Sequence, residues 1–556
     1  MNSTKKITID TLKKQPQYIA ALIFLIAAVV VLSLLPPQVL KIIIDDYLLG
    51  SSKGLIFIGA IYLATFVFVG VFDFLKGYLL TVVGQKIVKE VRLEMAQKLT
   101  KIKGTYFVDN SSGTISSKFI NDVDNINTLF TDGLISMVID CFKIVGIVIS
   151  IWIFSGKLAV FTICLIPVIG LLTAFFRKRM LKSQMNNLKE IGKVNNHISE
   201  TINNMVMIKT FHKEKYMENR YKDYLEDNYN TMNKVNFYDS CYSPIIQMLT
   251  ALAISFVFYF SMGDNNVLGI SIGMIAAATN LITNLFSPID SLGTELQSIQ
   301  KGLSGIKSVD IFLKEEEEEE KTICLDMKEV KRAGIKLAFV NMSFEYTKGN
   351  KVLKNFDIEI LPYENAAFVG RTGVGKTTLF KLILGILKPT EGRILVNGVD
   401  VYRISNGQKR QIIGYVEQKC SFINGTMWEQ ISLGDKSITC EAIEAAIDFV
   451  GLKEYVLSFE NGFDTKVDES MFSEGQKQLL AIARAIVTDP PLLLLDEVTA
   501  NLDSKTEQKV VEVLKKAGSG KTILSIAHRQ STIKSSEKVI EIKDGEICNV
   551  RIQNQR

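Results

Sequence analysis

The sequence holds seven cysteines, Cys141, Cys164, Cys241, Cys324, Cys420, Cys440 and Cys548, with no C-x-x-C pair and no metal-ligand spacing. Thiols scattered in this way read as small buried side chains, which argues against a disulfide scaffold or a zinc framework. Histidine is scarcer still, at three residues in 556. The formal net charge of +5 is spread along the chain without a long basic block, so no nucleic-acid partner is expected. No removable leader is expected either. Lys5, Lys6, Lys13 and Lys14 precede an apolar run over residues 19–35, which exceeds a signal-peptide core and meets no small-residue cleavage site. That run is expected to stay in the protein as a first membrane helix.

What the sequence does have is apolar length. Hydrophobic residues make up 47% and the mean hydropathy is +0.20, with the excess in the first 290 residues. A chain of 556 residues also needs more than one folding unit. A hydrocarbon core takes roughly 20 apolar residues at helical rise, and six stretches qualify: about 18–44, 55–83, 132–154, 158–178, 241–262 and 267–288. Pro36 and Pro37 should kink or locally unwind the first. Lys86, Lys89, Arg92 and Lys98 follow the second span, and Arg177, Lys178, Arg179 and Lys182 follow the fourth, whereas the opposite connections carry only Lys53 and Lys157. Basic loops stay inside. The expectation is a multi-pass protein of the cell membrane, bacterial plasma membrane in kind, with both termini and both long loops cytoplasmic.

Those loops are rich in helix formers, and two helical limbs would carry the spans roughly 30–40 Å beyond the bilayer. Their tips are expected near residues 122–127 and 204–213. After the last span, Lys314 and the glutamates of 315–320 read as a solvated, self-repelling tether. Asp73 with Lys76, and Asp140 with Lys143, lie one turn apart inside spans. They are either internal ion pairs or lining for a zwitterionic or peptide-like cargo.

From about Gly334 short β-branched runs alternate with amphipathic stretches, as in an α/β domain. The strand 366–369 runs straight into Gly370-Arg371-Thr372-Gly373-Val374-Gly375-Lys376-Thr377-Thr378, a G-x-x-x-x-G-K-[ST] loop with a strand before it and a helix after. Glycines there let backbone N–H groups close on phosphate, Lys376 reaches the outer phosphates, and the Thr377 hydroxyl ligates Mg²⁺. A second strand ends in Asp496-Glu497, a carboxylate to hold the metal and another to orient or deprotonate water. A third delivers His528. Three strand ends then bring Lys376, Glu497 and His528 to one carboxyl edge, where such sheets bind ligands. The fold class expected is multi-domain: an all-α six-helix transmembrane bundle with long cytoplasmic helical extensions, followed by an α/β P-loop ATPase domain. The membrane domain covers 1–313, the acidic linker 314–333 and the ATPase domain 334–556.

Taken in order, these motifs resemble an ABC transporter half of the exporter type over nearly the whole chain. The resemblance implies that Tyr346 stacks on adenine, and that Gln418, in Gly414-Tyr415-Val416-Glu417-Gln418, touches metal and water and senses the membrane loops. It places Asp503 in the loop that crosses the dimer, and gives Asp496 and Thr377 to Mg²⁺ alongside Gln418. Phe472-Ser473-Glu474-Gly475-Gln476-Lys477-Gln478 corresponds to the family signature, which usually reads Leu-Ser-Gly-Gly-Gln. In the family, Ser473 and Gly475 would act on a nucleotide held by the opposite chain, flanked by Glu474 and Gln476. Phe107, Gly113 and 121–124 resemble the first exporter loop; Glu200 and 208–211 resemble the second.

One phosphate loop and one signature cannot complete a site, so the resemblance implies a second half-transporter, a copy or a sister chain. Glu474 replaces a glycine, and its side chain is expected to point away from phosphate. The cofactors expected are ATP and Mg²⁺, and the partners are a lipid bilayer and a drug-like, lipid or peptide cargo moved outward. The other reading is an ATP-gated regulatory or sensory membrane complex that switches without pumping.

Overall fold

Inside a bilayer an uninterrupted apolar run satisfies its own backbone only as a helix. Among the described residues, six helical segments are long and apolar enough to cross a membrane. The computed structural model describes residues 3–48, 55–262, 269–319, 321–346, 349–498, 502–527, 533 and 535–553. They form two compact units, Met1–Thr100 with Ser112–Glu315, and Lys101–Ser111 with Glu316–Arg556.

The first unit is built on α1 (Pro16–Ser33), α2 (Leu35–Leu48), α3 (Leu55–Leu99), α4 (Ser136–Phe154), α5 (Gly156–Asn203), α6 (Glu214–Met262) and α7 (Ile272–Leu313). The first span breaks at Leu34, and Pro36 and Pro37 open the next helix, where missing N–H groups cost least. Helix α7 is the centre of this unit, with Ala277, Ala278, Leu281 and Leu285 sealed from solvent. Glycines let other backbone approach it: a Cβ on Gly273 would lie 2.4 Å from the Lys41 carbonyl, and one on Gly305 2.5 Å from the Asp122 carbonyl. Lys76 pairs with Asp73, and Lys143 with Asp140, each pair inside its own helix.

Two expectations are corrected here. Residues 122–127 are not a loop tip: Val123 and Ile126 are buried against α7, and Ser308 Oγ donates to Asp122 Oδ2 within the first unit. It is Lys101–Ser111, with the short helix Gly104–Asp109, that joins the second unit. Nor is the acidic run a free tether. Ile102 pairs antiparallel with Glu317, and the Glu318 N–H donates to the Lys101 carbonyl at 2.7 Å. Lys103 holds Glu316, Lys321 holds Glu318 and Lys388 holds Glu319. Lys103 and Lys388 come from far along the chain and Lys321 from the next turn, and together they offset the charge of the acids they hold.

The second unit carries β1 (Leu337–Glu345), β2 (Lys351–Ile360), β3 (Asn365–Val369), β4 (Glu391–Val396), β5 (Val399–Asp400) and β6 (Ile413–Val416). They are followed by β7 (Gly425–Thr426), β8 (Lys466–Val467), β9 (Leu492–Asp496), β10 (Thr522–Ile526), β11 (Lys538–Lys543) and β12 (Glu546–Ile552). A four-stranded antiparallel sheet runs β2-β1-β4-β5; a six-stranded sheet runs β12-β11-β3-β10-β9-β6, parallel except at the β12 edge. Its central strands are almost continuously apolar, as burial on both faces requires. Phe339, Phe356, Phe368 and Phe380 fill the core that includes both sheets. The register sets Phe368, Ile526 and Asp496 abreast, so three strand ends open on one edge.

Candidate functional site

The phosphate loop joins β3 to helix α8 (Lys376–Ile383). Gly373 and Gly375 have φ of 86° and 104°, a region that side-chain-bearing residues avoid. Gly370 is required for a second reason, since a Cβ there would lie 2.4 Å from the Ile542 carbonyl. Lys376 is buried, and its Nζ donates to the Gly370 and Arg371 carbonyls at 2.8 and 3.0 Å. Burial lowers its pKa from the ordinary lysine range, while Glu497 and Asp496 favour its charge. Arg371, Thr372 and Thr377 stand exposed around the loop and Val374 is half-buried. Tyr346 lies edge-on to Phe344, with its hydroxyl 3.1 Å from Thr378 Oγ1.

Across the same edge, Asp496 ends β9 buried, and that burial raises its carboxyl above the usual range. The Tyr415 hydroxyl, one strand away on β6, donates to Asp496 Oδ2 at 3.3 Å. Glu497 follows at φ 47°, an uncommon conformation for such a residue and one that turns the chain off the strand. Gln418 Nε2 donates to Glu497 Oε2 at 2.7 Å, so these two expected site residues are brought together. His528 lies outside the described residues, as do Ala500 and Asn501; β10 is described only up to the residue before it, Ala527.

The signature opens helix α9 (Glu474–Ile486). Ser473 Oγ accepts from the Gln476 N–H, and Gln476 Oε1 accepts from the Ser473 N–H, a reciprocal cap. Glu474 turns to Lys477 at 2.8 Å, and Lys477 also reaches Glu469 at 2.9 Å. Gly475 abuts Thr506, where a Cβ would lie 2.1 Å from the Thr506 methyl. Asp503 is exposed, and its Oδ2 accepts from the Thr506 N–H at 3.1 Å. Sequence reasoning gave Tyr415 and Gln478 no role. A tyrosine on a strand and a second glutamine in a helix carry no local signal; only strand pairing and helix packing disclose their partners. An apolar recess of about 370 Å³ lies elsewhere, in the first unit, lined by Ile198, Ile202, Met205, Ile208 and Tyr221.

A phosphate loop, a carboxylate pair closing a neighbouring strand and six membrane-length helices in one chain define a membrane-embedded P-loop ATPase. Comparison with known proteins then narrows the class. The family model for the ABC transporter transmembrane region matches residues 19–289, and the ABC transporter model matches residues 353–500. The chain belongs to the ABC transporters and is an exporter-type half-transporter, an ATPase coupled to transport. It is similar to the uncharacterized ABC transporter ATP-binding protein YfiC of Bacillus subtilis, 28% identical over 98% of this chain and 91% of that one. It is also similar to the ATP-dependent lipid A-core flippase of Acinetobacter baylyi, 28% identical over 92% of this chain and 88% of the relative. The fold matches a bacterial Atm1-family ABC exporter solved with ATP bound, at a TM-score of 0.76 and 23% identity over 96% of this chain and 95% of that one.

Proposed function

We propose that two such chains form an ATP-driven pump that moves an amphiphilic, lipid-like cargo out of the cytoplasm. The observation that carries the reading is the Gln418–Glu497 hydrogen bond beside the phosphate loop. It holds a carboxylate ready to take a proton from attacking water. Tyr346 receives adenine, and the loop from Gly370 to Thr378 receives the phosphates. Mg²⁺ suits the oxygen donors of Asp496, Thr377 and Gln418. Among the described residues no cluster of three acid, histidine or cysteine side chains exists to hold a metal alone, so nucleotide phosphates would complete its shell. His528 follows β10 in sequence, and the family resemblance assigns it to the outermost phosphate.

Ser473 and Gly475 act on the nucleotide of the other chain, and Asp503 belongs to the loop that crosses between the two chains. The Glu474–Lys477 ion pair supports a second copy of this chain as sufficient partner, because it draws the acid's charge toward Lys477. A sister chain is the other outcome. Exposed Val206 and Phe211 at the second loop, beside the apolar recess, offer the partner's ATPase domain a docking face. The basic loops orient that domain toward the cytoplasm, and the flippases among the relatives make a lipid-headed amphiphile the first cargo to test.

The test is ATPase activity and ATP-dependent cargo movement in reconstituted vesicles, with Glu497→Gln as comparison. We expect a loss of turnover on the order of 10³-fold in that variant, with ATP trapped and the dimer closed. Unchanged hydrolysis would remove Glu497 from its role. Hydrolysis in the wild type without flux over a broad amphiphile panel would favour the gating complex.

A further inference from the structure

Helix α9 has a second attachment to the catalytic edge, one turn beyond its signature end. Gln478 is buried, and its Nε2 donates to the backbone carbonyl of Gln418 at 2.8 Å. Gln418 in turn donates through its side chain to Glu497 Oε2 at 2.7 Å. Two hydrogen bonds thus connect the signature helix to the proposed base. Farther along the same helix, Arg484 donates to the carbonyls of Ser421 and Gln430 at 2.9 and 2.8 Å. The stretch from Gln418 to Ser421 is therefore fastened to α9 at both ends.

The amide at position 478 is a poor choice for packing alone. Its Oε1 is buried with no hydrogen-bond partner among the described residues, a cost that Met or Leu in the same space would avoid. Leu479, Leu480 and Ile482 of the same helix belong to the apolar core that also holds Val416 and Leu495. An amide kept there at a cost is kept for the bond its Nε2 makes.

We propose that Gln478 is a positioning residue that reports the seating of α9 to Glu497 of the same chain. The inference rests on the dimeric reading above, in which Ser473 and Gly475 at the start of α9 grip the nucleotide of the second copy. Nucleotide held by one chain shifts α9 of the other. The shift passes through Gln478 to the Gln418 backbone, and the Gln418 amide then sets the Glu497 carboxylate toward water. The two sites become coupled through bonds inside one ATPase domain. In this reading Gln478 acts through Gln418 and not on the nucleotide itself.

The experiment uses full-length chains with two different affinity tags, co-expressed so that mixed dimers can be isolated in vesicles. One mixed dimer pairs a Gln478→Met chain with a Glu497→Gln chain; the other pairs a wild-type chain with a chain carrying both changes. Each contains the same substitutions and one intact Glu497. In the first, the intact base lies in the chain that carries Gln478→Met, and kcat is expected to fall about fivefold with little change in half-saturating ATP. In the second, the intact base keeps its own Gln478, and the rate is expected to match a wild-type/Glu497→Gln dimer. In the symmetric Gln478→Met dimer the Hill coefficient for ATP is expected to fall toward one.

Equal rates in the two arrangements, or a slower second one, would overturn the relay. A slower second dimer is what damage to the signature grip would produce. Should Gln478→Met lower stability, both mixed dimers share that loss, and their ratio still decides. If the symmetric Glu497→Gln dimer hydrolyses ATP normally, it is the catalytic reading that fails, whatever the ratio.

Discussion

The two units bury their apolar residues in opposite ways. In the second unit, aromatic side chains such as Phe339, Phe356 and Phe368 are sealed inside, and exposure of large apolar groups is scattered. In the first, whole faces of α3 stay open, with Ile56, Phe57, Leu63, Phe68 and Phe74 exposed, as lipid contact requires. Specificity there comes from close backbone approach at Gly273, Gly302 and Gly305 and from polar links, among them Asp45 accepting from Ser271 Oγ and the Gly273 N–H. A hydrophobic core identifies itself by what it hides. A membrane bundle is specified by the few small or polar residues that interrupt its apolar surface.

Breaking chemistry in the second unit should do most. Lys376→Ala is expected to abolish tight nucleotide binding, with ATPase activity down on the order of 100-fold or more, while membrane insertion is unaffected. Normal turnover in that variant would defeat the phosphate-loop assignment. Gly475→Ala should act through packing, since its methyl meets the Thr506 methyl, costing about 1–3 kcal/mol of domain stability. Adding Thr506→Ser removes the obstructing carbon. Recovery of the melting temperature in the double variant is the check, and no recovery would count against the steric account.

A buried charge in the same unit gives a pH test. Burial, with Lys321 beside it, pushes Lys409 down to about 8, and its Nζ has no hydrogen-bond partner among the described residues. The unfolded chain holds that proton up to the ordinary lysine range of about 10.4, so folding is disfavoured by this group below that range, fully so below about pH 8. Lys409→Met should therefore stabilise the protein at pH 7 by an amount on the order of 2 kcal/mol. The advantage should shrink as pH rises from about 8 to 10. An advantage that persists unchanged over this interval would show that volume, not charge, is responsible. The smallest effect is expected from Glu474→Gly. With its carboxylate already turned to Lys477, turnover should stay within about twofold or rise, and a severe loss would show that the acid has a task of its own.

Much of the second unit was legible because phosphate chemistry demands fixed residues at fixed spacing. A Lys after two glycines, an acid pair after an apolar strand and a serine-glycine cap on a helix declare themselves locally. The tip of the first loop falls at 101–111 and not at 122–127, although both stretches lie in the same long connection. What separates them is the pairing of Ile102 with Glu317 and of Lys103 with Glu316, more than 200 residues away in the chain. The glutamate run was read as repulsive for the same reason.

Sequence alone determined that this chain carries six stretches long and apolar enough to cross a membrane, followed by a P-loop ATPase domain, because hydropathy and backbone–phosphate geometry act over a few residues. It also determined that Pro36 and Pro37 interrupt the first span. Only the tertiary structure decided that Gln418 grips Glu497, that Tyr415 and Gln478 stand behind the carboxylates, and that Lys103 and Lys388 reach the acidic run. Those contacts join residues whose separation along the chain carries no periodic signal, and hydrogen bonds of under 3.5 Å exist only once the sheet and the helices have set the register.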